Sequence, residues 1–158
     1  LIAELKPDQV TLVPDPPEVL TSNTGWDTVK NKGFLSEIIQ ELRLSGARIS
    51  VFCNPEISMV EGAAKIEANR IELYTGPYAQ DFVQNPVQAL RSFVEAADVA
   101  KKMALGVNAG HDLDLQNLKY LKKGIPYLAE VSIGHALFCD ALYYGIRNTI
   151  QMYKRQLQ

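Results

Sequence analysis

Both histidines of the chain directly follow a glycine at the end of a strand-like run. They are His111, in GVNAGH, and His135, in EVSIGH. A glycine where a strand turns into a helix lets backbone N–H groups approach a ligand, and the helix N-terminus that follows attracts an anion. An imidazole beside it can bind a phosphate oxygen or move a proton near neutral pH. One such histidine alone is more typical of a cap or a surface residue, but the repetition predicts a phosphate between loops 110–112 and 134–135.

A third candidate for chemistry is Glu72, a carboxylate inside the apolar run RIELY. Because side chains alternate along a strand, Glu72 must point to the face opposite Ile71 and Leu73. A partly desolvated carboxylate has a raised pKa that suits proton transfer. The spacing leaves two interpretations open, an ion pair inside the sheet or a group that handles protons.

These candidates occupy equivalent places in a repeating pattern of strands and helices. β-Branched runs at 9–13, 48–52, 70–74, 105–109 and 130–133 alternate with stretches that have helical spacing of apolar residues. The expected helices cover about 34–42, 55–64, 86–100, 115–124 and 136–154, with Asn54 and Asn85 as N-caps of the second and third. Because parallel neighbours need helical crossovers, five such units in tandem predict a parallel α/β fold.

Two parallel architectures fit this pattern. Five strands complete a doubly wound sheet of the flavodoxin type, or they form the larger part of an eight-stranded (β/α)8 TIM barrel of roughly 250 residues. Ligands bind at the carboxyl ends of the strands in both. A flavodoxin-like binding module predicts a phosphate loop after the first strand, where this chain has prolines and an acid, PDPP.

The composition argues against several classes of protein. The 158 residues contain 16 Lys and Arg against 18 Asp and Glu, without a basic stripe, so we expect no nucleic-acid partner. No apolar run reaches the roughly 20 residues of a membrane span and no signal core is present, so we expect a cytoplasmic protein without a membrane partner. Without nucleotide-binding glycine motifs or a Cys/His cluster we expect no cofactor and no metal, and we expect Cys53 and Cys139 to be reduced thiols.

In order along the chain, the segments LVPD, LTSNTGWD, SVFCNP, RIELYTGPYA, GVNAGH and EVSIGHAL resemble the pyridoxine 5'-phosphate synthase family. The resemblance implies a TIM barrel, a homo-octamer, and a transferase that condenses 1-deoxy-D-xylulose 5-phosphate with 3-amino-2-oxopropyl phosphate. The products would be pyridoxine 5'-phosphate, inorganic phosphate and water. Residues 1–158 would be the carboxyl-terminal part of one barrel domain, with strands four to eight present and strands one to three missing from this chain.

The same resemblance implies roles for individual residues. Glu72 matches a carboxylate that assists the transition states, His111 matches a histidine that donates a proton, and Thr21 matches a loop residue that contacts substrate. The positions that match the phosphate site are Gly110, Asp112, Gly134 and His135. The family's other general bases, a histidine and a glutamate, belong to the missing strands.

The chain departs from the family pattern at three positions. It has Tyr74, Asp112 and Asp140 where the family often has His, Gly and Arg. A carboxylate at position 112 would repel a phosphate unless its side chain turns away, although its backbone N–H could still bind. The alternative functions are another phosphate-binding barrel lyase or isomerase and the flavodoxin-like module; a Schiff-base aldolase is disfavoured because no strand end has a lysine.

Overall fold

The computed structural model describes residues 2–16 and 18–158, and in these residues five strands form one parallel sheet. The strands are β1 (Gln9–Leu12), β2 (Arg48–Cys53), β3 (Arg70–Tyr74), β4 (Gly106–Gly110) and β5 (Glu130–Ser132). Their spatial order is β1-β2-β3-β4-β5, the same as in the sequence. A flavodoxin sheet has the order 2-1-3-4-5, so the flavodoxin-like alternative is wrong. Parallel strands in sequential order are the arrangement of part of a TIM barrel.

Helices follow the strands as expected, with some changes in number and limits. In the described residues they are α1 (Ile2–Leu5), α2 (Lys32–Arg43), α3 (Ile57–Lys65), α4 (Gly76–Phe82), α5 (Pro86–Lys102), α6 (Leu118–Gly124), α7 (His135–Tyr144) and α8 (Ile146–Gln156). The helix α4 was not expected from the sequence. Its Tyr78 is completely buried against Phe82 and Phe93, and the Tyr78 hydroxyl donates to the Asn117 carbonyl over 2.7 Å.

The apolar core lies between one face of the sheet and the helices. Alternate side chains of β2, β3 and β4 are buried there and contact residues of α2, α3, α5 and α6; the strand residues are Ile49, Val51, Cys53, Ile71, Leu73, Val107 and Ala109. Glu72 points to the other face, as its alternation with Ile71 and Leu73 predicted. There it is in register with Phe52 on β2 and Asn108 on β4.

Two local expectations about the helices were wrong. Asn54 does not cap α3, whose N-cap is Glu56; the Asn54 side-chain oxygen instead accepts from the Gly25 N–H over 3.0 Å. The expected helix 136–154 is two helices, because Gly145 has a φ of 76° in the left-handed region and ends α7. The Asn85 cap is confirmed, since its side chain accepts from the Gln88 N–H over 3.1 Å.

The close approach of Gly25 to β2 generates a stability prediction. A Cβ atom on Gly25 would lie within 3.0 Å of backbone atoms of Cys53 and Asn54, so Gly25→Ala should lower the free energy of unfolding by about 1–3 kcal/mol or more. Gly33→Ala is the matched control, because its Cβ would enter open space on α2 and should stabilise the protein by about 0.5–1 kcal/mol. Chemical denaturation of both variants tests this; equal stabilities would contradict it.

Candidate active site

One cleft of about 660 Å³ at the carboxyl ends of the strands brings most of the candidate residues together. Its lining includes Thr21, Glu72, His111, Asp112, Gly134 and His135. The remaining candidate, Gly110, lies beside it, where a Cβ atom would overlap the Glu72 carboxylate. A residue with a side chain at position 110 would therefore displace the Glu72 carboxylate, and glycine leaves the space that this carboxylate occupies.

Glu72 is a desolvated carboxylate on the floor of this cleft. It is 8% exposed, and its Oε2 accepts from the Thr11 hydroxyl over 3.4 Å. Burial raises the pKa of the Glu72 carboxyl above its ordinary value of 4.5. Hydrogen bonds from Ser132 and Thr11 oppose that increase in pKa, and the negative charge of Glu130 adds to it. Such a carboxyl is suited to taking up and releasing a proton.

Arg48 and Arg70, at the amino-terminal ends of β2 and β3, contact another acid, Glu130. Glu130 accepts from Arg48 over 3.0 Å and lies 3.9 Å from Arg70. Asn108 bridges Arg70 and Glu130, because its side chain accepts from Arg70 and donates to Glu130. No Lys or Arg of the described residues forms an ion pair with Glu72. The ion-pair interpretation of Glu72 is therefore not supported.

Sequence reasoning missed the polar neighbours of Glu72. They are Thr11, Asn108, Glu130 and Ser132, and Arg48 and Arg70 lie on the same face of the sheet beside Glu130. A signal for them was available, because polar residues recur at every second position of the expected strands, out of phase with the buried aliphatic residues. That alternation indicates a polar inner face of the sheet.

His111 is held by contacts on both ring nitrogens. Its Nε2 lies 2.8 Å from the Thr21 hydroxyl, and its Nδ1 lies 3.0 Å from Asp112 Oδ2. The Tyr74 ring meets the imidazole edge to face, with centroids 5.0 Å apart at 81°. The Thr75 hydroxyl donates to the His111 carbonyl. The imidazole therefore has a defined orientation at the cleft.

The backbone after β4 turns sharply to place this imidazole. His111 and Asp112 have φ values of 94° and 54°, in the left-handed region that favours glycine. The Thr75 N–H donates to the Gly110 carbonyl over 2.9 Å and helps hold the turn.

His135 lies in the first turn of α7 and lines the same cleft. Gly134 is the N-cap of this ten-residue helix, and a Cβ on Gly134 would meet nothing within 4 Å. A smaller cavity of about 270 Å³, lined by Asp112, Gly134 and His135 among others, separates the two loops. The helix N-terminus and the turn after β4 thus border one space of a size that an anion can enter.

The two cysteines have different surroundings. Cys53 and Cys139 are both free, as expected, and burial raises the pKa of the Cys53 thiol to about 12. Cys139 Sγ lies 3.6 Å from His135 Nε2. Among residues 2–16 and 18–158, no group of three His, Cys, Asp or Glu side chains is arranged to hold a metal ion. No helix in the same residues combines the length and apolar character that a membrane span needs.

The raised pKa of Glu72 generates a prediction about stability and pH. Between its unfolded and folded pKa values the native state binds more protons, so the contribution of Glu72 to stability falls as pH rises through that interval above 4.5. Glu72→Gln should abolish this part of the pH dependence and leave the protein as stable or more stable above the interval, because no charge is desolvated. Urea denaturation across pH measures the slope; an unchanged slope in the variant would contradict the assignment.

Comparison with known proteins identifies the family. The model of the family described as "Pyridoxal phosphate biosynthesis protein PdxJ" matches residues 1–158. The whole chain is 60% identical to a pyridoxine 5'-phosphate synthase of Cytophaga hutchinsonii and covers 66% of that protein. It is 54% identical to the synthase of Bacteroides fragilis and 48% identical to that of Flavobacterium johnsoniae, covering 67% of each. The chain thus spans about two thirds of the length of these curated relatives and belongs to the PdxJ family of pyridoxal phosphate biosynthesis proteins.

Proposed function

We propose that residues 1–158 supply strands four to eight of a (β/α)8 barrel, and that the complete barrel is a pyridoxine 5'-phosphate synthase. The relatives that carry this name are longer than the chain, which supports the assignment to part of a barrel. The observation that carries the function is the single cleft shared by the desolvated Glu72, the oriented His111 and the N-terminus of α7.

The proposed reaction condenses 1-deoxy-D-xylulose 5-phosphate with 3-amino-2-oxopropyl phosphate. Closing the pyridine ring requires Schiff-base formation, dehydrations and loss of phosphate, and each of these steps moves protons. We assign proton donation to His111, because its Nε2 contacts Thr21 and both residues line the cleft. We assign stabilisation of positively charged intermediates to Glu72, whose carboxylate has no cation of its own in the described residues.

Phosphate would bind between loops 110–112 and 134–135. The N-terminus of α7 supplies unpaired N–H groups and the positive end of the helix dipole. The Asp112 carboxylate is turned toward the His111 ring, so only the backbone of residue 112 would contact phosphate. His135 is placed to contact the same anion.

The remaining proposals rest on the family resemblance. The partners would be small phosphorylated substrates and inorganic phosphate, the complete protein would be a cytoplasmic homo-octamer, and no cofactor would be needed. The side chains of Phe138, Leu142 and Tyr143 on α7 are largely exposed in this chain, which supports further protein contacts on that helix.

The catalytic assignment predicts the effect of His111→Asn on the full-length protein. Turnover should fall by roughly 10²–10⁴, the usual loss when a general acid is removed, with a much smaller change in KM. The measurement is formation of pyridoxine 5'-phosphate from both substrates. The exposed control Gln40→Ala on α2 should retain wild-type turnover. A folded wild-type protein that forms no product would contradict the synthase assignment, and unchanged turnover in His111→Asn would remove His111 from it.

The phosphate site predicts stabilisation by inorganic phosphate. A ligand that binds only the native state raises Tm in proportion to the logarithm of its concentration above Kd. Thermal melts in increasing phosphate, at constant ionic strength, should show this increase in the wild type and in Gln40→Ala, and a smaller one in His135→Ala. An equal increase in His135→Ala would place the bound phosphate elsewhere.

A further inference from the structure

Asp112 is the residue whose role the proposed function leaves unexplained. Its side chain is 60% exposed beside a cleft that would hold phosphate, yet its Oδ2 lies 3.0 Å from Nδ1 of the preceding His111. The His111 side chain is only 18% exposed, and no Lys or Arg of the described residues pairs with Asp112. The imidazole is therefore the partner of this carboxylate.

The contact determines where the His111 ring carries its proton. An ionised carboxylate only accepts hydrogen bonds, so Nδ1 must be the donor to Asp112. In the neutral ring one nitrogen is protonated and the other is not, which leaves Nε2 as the basic nitrogen. Nε2 lies 2.8 Å from the Thr21 hydroxyl, a group that can donate or accept.

We propose that Asp112 is a positioning residue that keeps His111 in the Nδ1-protonated tautomer and stabilises the imidazolium, so that Nε2 takes up a proton and then donates it to substrate. The Thr21 hydroxyl lies within hydrogen-bond distance of Nε2, at the position that the reacting group of the substrate would take. The role in turnover rests on the proposed function of His111, whereas the tautomer does not depend on it.

The backbone of Asp112 supports this assignment. A φ of 54° is unfavourable for most residues, and Asp tolerates it because a short polar side chain can form a local hydrogen bond. Here that bond is made to the ring of the preceding residue. The Tyr74 ring packs edge to face against the imidazole, with centroids 5.0 Å apart, and helps to fix the plane of the ring.

The tautomer can be measured directly in the full-length protein with ¹⁵N-labelled histidine. Two-bond ¹H–¹⁵N correlations distinguish protonated from unprotonated ring nitrogens, and His111→Asn assigns the His111 signals. We expect Nδ1 protonated and Nε2 unprotonated in the neutral ring. The reverse pattern in the wild type would overturn the proposal, whether or not the protein makes pyridoxine 5'-phosphate.

Asp112→Asn is the decisive variant, because Asn has the same shape and also tolerates a positive φ. Its amide can donate to Nδ1, so the His111 ring should change to the Nε2-protonated tautomer. We expect kcat to fall roughly ten- to hundredfold, the usual cost of losing a group that orients a functional histidine, with KM little changed. The control Asp81→Asn, an exposed carboxylate on α4, should change neither the tautomer nor kcat.

The outcomes separate this proposal from the proposed function. An unchanged tautomer in a folded Asp112→Asn protein would overturn the positioning role. A changed tautomer with unchanged kcat would confirm the contact with Asp112 and would count against His111 as the proton donor. A changed tautomer with reduced kcat supports both.

Discussion

In-register parallel pairing of β2, β3 and β4 is the constraint on which the rest of the structure depends. It places the aliphatic side chains of these strands on one face, where the helices cover them, and the intervening polar side chains on the other. Glu72 consequently lies between Phe52 and Asn108, removed from solvent but close to the carboxyl end of β3. A shift of one residue in this register would bury the polar residues against the helices, so the core and the cleft depend on the same pairing.

The two acids on the polar inner face have different partners. Glu130 lies next to Arg48 and Arg70, and Asn108 bridges it to Arg70. Among the residues that the structure describes, Glu72 has only hydroxyl donors, and the charge of Glu130 acts on it. Burial therefore acts on Glu72 without a compensating cation from the described part of the chain, and its pKa rises. Glu130 is thus paired with arginines, whereas Glu72, the desolvated acid, lines the cleft.

The loops that border the cleft complement each other. The turn after β4 uses unfavourable backbone conformations at His111 and Asp112 to direct an imidazole, held by Thr21, into the cleft. The loop after β5 is open at Gly134 and continues into α7, which presents its N-terminus. Residues of both loops therefore line one cleft, and the phosphate site that the repeated Gly-His pattern predicts there stays a prediction.

The sequence alone determined the features that depend on local periodicity. The five strands, the side of β3 on which Glu72 lies, the Asn85 cap and the place of both Gly-His pairs at strand ends all follow from alternation and turn chemistry, which act over a few residues. Only the tertiary structure decided that Asn54 binds Gly25 rather than capping α3 and that Thr21 contacts a ring 90 residues away. It also decided that no Lys or Arg of residues 2–16 and 18–158 pairs with Glu72. These contacts join segments far apart in the chain, and their geometry follows from how the strands and loops pack, which local patterns do not encode.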